Sequence, residues 1–116
     1  MTTSTETVEV VLARHLGAIA SRDVDQIMRD YTDESVLITP EHTFRGLEQV
    51  RAFFTAALNI FTPEVLGMFN ISKQEIAGEI AYLFWSSGPS VPFATDTFLI
   101  RDGKIAVQTF TGQIVS

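Results

Sequence analysis

The sequence predicts an α+β fold in which N-terminal helices pack on one face of a curved antiparallel sheet. Three observations predict it. Apolar residues recur at helical spacing in separate stretches before Pro63. After Pro63 the pattern turns to strand-like segments punctuated by turn signals. The helical part comes first and as a block, which separates α+β from an alternating α/β chain.

The first helix is expected to start near Thr3, where Thr3 followed by Glu6 has the spacing of a capping box. Val8, Val11, Leu12, His15, Leu16 and Ile19 then lie on one helical stripe. Asp23 followed by Gln26 reads as the N-cap of a short second helix with the stripe Val24, Ile27, Met28 and Tyr31. Asp33-Glu34 is a turn. Ser35 to Thr39 is a short strand ended by Pro40, and His42 to Arg45 is a second extended piece. A third helix is expected from about Leu47 to Phe61, with the stripe Val50, Phe53, Phe54, Ala57, Leu58 and Phe61, stopped by Thr62-Pro63. Four strands should follow, at roughly 64–76, 79–86, 91–101 and 104–115. They are separated by Ala77-Gly78, Ser87-Gly88-Pro89-Ser90 and Asp102-Gly103. Asp-Gly between strands is the strongest of these signals, because it favours a two-residue hairpin.

The chain's 116 residues suit one domain, 1–116, with one core. At 46% hydrophobic and 19% charged it belongs with globular rather than disordered chains. A formal net charge of -6 without a Lys/Arg cluster argues against nucleic acid and against an anionic membrane surface. There is no cysteine, which removes disulfides and thiolate chemistry. The polar N-terminus lacks the pattern of a signal peptide, and no apolar run approaches a membrane span. The expected location is cytoplasmic.

Asp96 is the residue that points to chemistry. Side chains alternate along a strand, so Asp96 shares a face with Ala94, Phe98 and Ile100. A carboxylate on an apolar face must find partners or stay protonated, and a neutral carboxylic acid can donate a hydrogen bond. A sheet curled around helices forms a cone that is hard to fill, and apolar cavities with a few converging polar groups are the usual binding sites. Parity suggests that Ile80, Tyr82 and Phe84 face this cone along with Asp96. If so, Trp85 and Leu83 lie on the outer face, where large apolar groups mark an interface. Val107, Thr109 and Thr111 share one face, and parity alone does not say which.

The stretch from Arg22 to Pro40, RDVDQIMRDYTDESVLITP, and the stretch from Phe44 to Phe54, FRGLEQVRAFF, resemble the NTF2-like superfamily, in its SnoaL-like and ketosteroid-isomerase-like branch. The resemblance covers nearly the whole chain. It implies a cone-shaped, cystatin-like α+β roll and a homodimer with a hydrophobic pocket in each subunit. Ketosteroid isomerase uses an aspartate base and an oxyanion hole made of a tyrosine and a protonated aspartic acid. The resemblance places the protonated acid on Asp96, the oxyanion tyrosine on His15 and the base on Thr39. A supporting tyrosine is retained as Tyr31, and another becomes Phe54. A threonine hydroxyl is a poor proton acceptor, so steroid isomerisation by that route is not expected.

Asp96 and His15 are therefore the candidate catalytic pair. Tyr31, Thr39, Phe54, Tyr82, Phe84, Phe98 and Thr111 are the candidate ligand contacts. His15 is either an acid/base group beside Asp96 or a helix histidine satisfied by a neighbouring carbonyl or carboxylate. Asp96 is either part of the pocket or a structural carboxylate. Glu41 offers a displaced base, or else Pro40-Glu41-His42 is an exposed turn. His42, His15 and the carboxylates match no dedicated metal motif, so neither metal nor cofactor is expected. Two functions remain open. One is isomerase, cyclase or dehydratase-like chemistry on a small hydrophobic carbonyl or phenolic compound. The other is a non-catalytic small-ligand binder or dimeric accessory module.

Overall fold

Thr7 opens the first helix. Its hydroxyl accepts from the Val10 backbone N–H, and α1 runs Val8–Ser21. The structure is a computed structural model that describes residues 7–115. Thr3 and Glu6, the expected capping box, lie outside the described residues. Asp23 caps α2 (Val24–Met28) as its spacing suggests, accepting from the Asp25 and Gln26 amides. Next come β1 (Val36–Ile38), β2 (Thr43–Arg45) and α3 (Gly46–Ile60). Gly46 enters α3 at φ 83, a left-handed angle that suits glycine, and donates its N–H to Ser35 O.

The strand expected over 64–76 is shorter. Pro63–Leu66 forms a one-turn helix, α4, and β3 runs Phe69–Ala77. The physical reason was present locally. Thr62 is an N-cap accepting from Val65 N–H, and Pro63 occupies the first turn, where proline is favoured. The same pair that stops one helix starts another. The remaining strands are β4 (Ile80–Ser87), β5 (Val91–Arg101) and β6 (Lys104–Gln113). Asp102 and Gly103 both have positive φ, 56 and 75, as the tight hairpin between β5 and β6 requires.

The six strands form one mixed, unclosed sheet in the order β2-β1-β6-β5-β4-β3. β1 runs parallel to β6, and every other neighbouring pair is antiparallel. The first strand thus joins the edge of the meander and extends it. Register shifts at Ile71/Lys73, Trp85/Ser87 and Leu99/Ile100 interrupt the three long ladders. Such bulges increase local twist and help a sheet to bend. The core fills the space between the inner face of the sheet and the helices, with Val11, Leu12, Ile27, Val50, Leu83 and Phe98 among its fully buried members. Arg22, the αL cap of α1, donates Nη1 to the carbonyls of Leu58 and Phe61 and so ties the end of α1 to the end of α3.

The bulge at Trp85/Ser87 corrects one sequence expectation. Ser87 pairs with Val91, and continuing that register without a shift would set Tyr82 opposite Asp96 and Phe84 opposite Ala94. After the shift, Leu83 pairs with Asp96 and Trp85 with Ala94. The extra residue lies on β5, where three steps from Val91 to Ala94 oppose two from Ser87 to Trp85, and it changes which face of β4 Asp96 shares. Ala81, Leu83 and Trp85 are buried, whereas Ile80 and Phe84 are exposed. Tyr82 and Phe84 therefore lie on the outer face, and Trp85 lies inside.

Candidate functional site

Between the inner sheet face and α1 and α3 lies a cavity of about 80 Å³ that opens to solvent. Its walls are mainly Leu16, Ile19, Phe53, Leu58, Phe61 and Phe110, together with Phe54 and Phe98 from the expected set. The polar side chains in the wall are His15, Asp96, Gln108 and the indole of Trp85. A helix stripe delivers His15 to this wall, because it sits one turn after Val11 and Leu12 on the buried face of α1. Strand alternation delivers Asp96, between Ala94 and Phe98.

Asp96 accepts two hydrogen bonds. Trp85 Nε1 donates to Oδ2 at 2.7 Å, and Gln108 Nε2 donates to Oδ1 at 3.0 Å. Gln108 in turn accepts at Oε1 from the Tyr31 hydroxyl. Burial raises the Asp96 carboxyl above its ordinary range. The donors Trp85 and Gln108 and the nearby His15 oppose that shift without cancelling it. Burial, with Asp96 and Asp30 nearby, pushes the Tyr31 phenol well above its ordinary value, so Tyr31 is a neutral donor. The chain Tyr31–Gln108–Asp96–Trp85 fixes the carboxyl plane.

His15 sets Nδ1 toward Asp30. The Nδ1 to Asp30 Oδ2 distance is 3.7 Å, and both side chains are buried. The Asp30 Oδ1 atom accepts from Arg14 Nε at 2.7 Å. Burial alone would raise the Asp30 carboxyl, but His15 and Arg14 outweigh it and hold the group below the ordinary carboxylate value. The ring of His15 also packs edge-on against Phe54 and Phe98, and tilted against Tyr31.

His15, Asp96, Phe54 and Phe98 thus meet at one cavity, although no direct hydrogen bond joins His15 to Asp96. The other expected contacts lie elsewhere. Tyr31 stands behind Gln108 and is not in the wall. Thr39 accepts at Oγ1 from the Glu41 and His42 amides and bonds to His42 O, so its hydroxyl closes a turn. Glu41 and His42 are exposed in that turn. Tyr82, Phe84 and Thr111 are directed to the other side of the sheet, because the inner positions of β4 and β6 belong to Leu83, Trp85, Gln108 and Phe110. Sequence reasoning missed Trp85, Gln108 and Asp30. The first two follow from ladder register, since Leu83 pairs with Asp96 and Asp96 with Phe110. Nothing local marks Asp30, which lies just beyond α2. Among the described residues no group of three or more His, Asp or Glu could hold a metal ion. No helix among them is long and apolar enough to cross a membrane.

A family model described as SnoaL-like domain matches residues 12–108. The chain belongs to the SnoaL-like family. No curated protein matches it. Solved structures with the same fold include a SnoaL-like protein of unknown function from Burkholderia thailandensis, at 17% identity and TM-score 0.74, covering 90% of this chain and 93% of that one. A candidate polyketide cyclase from Sinorhizobium meliloti matches at 18% identity and TM-score 0.69, covering 86% and 92%. A candidate ketosteroid isomerase from Kribbella flavida matches at 11% identity and TM-score 0.70, covering 98% and 83%. At these identities the likeness is one of fold alone.

Proposed function

We propose that this SnoaL-like domain binds a small, mainly apolar carbonyl or phenolic compound in its cavity and performs acid/base chemistry of the isomerase, cyclase or dehydratase kind. The observation that carries the reading is the placement of His15 and Asp96 in one otherwise aromatic and aliphatic wall. Asp96, raised by burial, donates to a ligand oxygen or stabilises charge on it, while Trp85 and Gln108 hold the carboxyl in place. His15 takes up or returns a proton. One water needs about 10–15 Å³ of such space, so about 80 Å³ suits a single ring, with any larger part directed out of the mouth.

A second reading is a non-catalytic binder. Thr39 favours it, because its hydroxyl closes a turn and supplies no base to the cavity. In both readings a homodimer covers the outer sheet face, where Ile80 and Phe84 stand exposed beside Tyr82.

Trp85 is the sole tryptophan and lines the cavity, so its fluorescence reports occupancy. The test is a titration with a substituted phenol across pH, using wild type and Asp96→Asn. Saturable quenching whose pH dependence changes in Asp96→Asn supports a proton-linked pocket. Quenching that is absent, or identical in both proteins at every pH, counts against a role for Asp96. Binding without turnover of carbonyl substrates would leave the binder, and turnover that survives loss of either His15 or Asp96 would count against their acid/base roles.

A further inference from the structure

The described residues contain two buried side-chain polar atoms without a hydrogen-bond partner, Nδ1 of His15 and Oδ2 of Asp30. They face each other at 3.7 Å. A buried polar atom is costly to leave unpaired, so two adjacent ones are best understood as each other's partners across a gap that a small ring rotation closes. Polar contacts in unliganded sites are often long and tighten when the site is occupied.

Asp30 is held where such a contact needs it. Arg14 Nε occupies its Oδ1, and Arg14 Nη2 donates to Gly103 O in the β5–β6 hairpin at 3.2 Å. The backbone carbonyl of Asp30 accepts from Ile105 N–H at 2.7 Å. Asp30 is therefore tied to the turn of that hairpin through Arg14 and to the start of β6 through its own backbone. The titratable and charged groups around His15 are Arg14 on its own helix, Asp30 after α2, Tyr31 beside it and Asp96 on β5. Of these, Asp30 sets a buried acceptor 3.7 Å from Nδ1.

We infer that Asp30 is a positioning residue whose carboxylate takes the Nδ1–H of His15, fixes the tautomer, and leaves Nε2 as the unprotonated nitrogen available to the cavity. A neutral imidazole carries one ring proton. An ionised carboxylate only accepts, so the nitrogen facing it must bear that proton. His15 then meets a ligand as a proton acceptor. The inference rests on the acid/base reading of the cavity, but the tautomer can be measured without any ligand.

The experiment is long-range proton–nitrogen NMR of the imidazole rings at a pH where they are neutral. There are two histidines, and exposed His42 serves as the internal reference, assigned with a His42→Gln variant. The wild type should show His15 predominantly protonated at Nδ1. Asp30→Asn should invert this. Arg14 keeps the amide oxygen, which turns the amide NH₂ toward His15 and requires a lone pair on Nδ1. His42 should not change. A wild-type His15 protonated mainly at Nε2 overturns the inference, as does an unchanged tautomer in folded Asp30→Asn. If Asp30→Asn does not fold, the wild-type spectrum alone decides. Phenol binding separates the two claims. Absence of binding alongside an Nδ1–H tautomer sinks the ligand reading and leaves the positioning role supported. Binding alongside the wrong tautomer does the reverse.

Discussion

Replacing Trp85 by phenylalanine removes one donor from Asp96 and keeps an aromatic ring in the wall. The lost contact is the 2.7 Å bond from Trp85 Nε1 to Asp96 Oδ2. A hydrogen bond to a charged group contributes about 1.5–3 kcal/mol, and one between neutral groups about 0.5–1.5 kcal/mol. The smaller ring also gives up packing against Phe61, Phe69 and Phe110, at a cost of about 1 kcal/mol, because the space left merges with an existing cavity. The variant should therefore lose about 2.5–4 kcal/mol where Asp96 is ionised and about 1.5–2.5 kcal/mol where it is neutral. The sign with pH follows from the raised Asp96 carboxyl. Its stabilising effect is complete below the ordinary carboxylate value of 3.8 and is lost as pH rises through the folded-state value. Losing a donor raises that carboxyl further, so the stability gap between variant and wild type widens as pH rises. Asp30 is shifted the other way, but it is common to both proteins and cancels in the difference. Urea unfolding followed by far-ultraviolet circular dichroism at several pH values measures the gap without relying on the missing tryptophan. A gap that stays flat with pH, or widens toward acid, would refute the view that Trp85 stabilises the Asp96 carboxylate.

Three further outcomes are expected. Arg14→Met removes one of the two groups that hold Asp30 below its ordinary value, and stability tied to a lowered carboxyl is lost as pH falls. The acid-unfolding midpoint of this variant should move to higher pH, and an unmoved midpoint would count against the clamp. Tyr31→Phe leaves Gln108 Oε1 without its donor and should cost about 1–3 kcal/mol in denaturant unfolding; a neutral result would mean that the amide is satisfied otherwise. The proposed homodimer predicts that Phe84→Lys, which puts a charge on the outer sheet face, shifts sedimentation equilibrium from dimer toward monomer while leaving phenol quenching of Trp85 unchanged. A dimer that persists at the same strength would place the interface elsewhere.

Much of this architecture was legible locally. The Asp23 cap, the α1 and α3 stripes, the Asp102-Gly103 hairpin and the inward face of β5 depend on residues within a few positions of one another, so periodicity and turn chemistry reveal them. Asp96 stood out for the same reason, as a charge in an apolar parity class. Even α4 was within reach, since Thr62-Pro63 is a helix start as well as a stop.

The site's wiring was not legible, because it joins residues remote in sequence. A single bulged residue in β5, between Val91 and Ala94, decides whether Leu83 and Trp85, or Tyr82 and Phe84, share the face of Asp96. Alternation within β4 is the same either way, so only the ladder register chooses. The parallel seating of β1 against β6 depends on packing across most of the chain. His15 was paired with Asp96 on the strength of the resemblance, and the fold sets its Nδ1 against Asp30 instead. The sequence by itself determined the helices, the hairpin, the apolar strand face and the presence of a buried acid. Which side chains meet that acid and the histidine was decided by tertiary structure, because hydrogen-bond partners are fixed by distance in space and not by spacing along the chain.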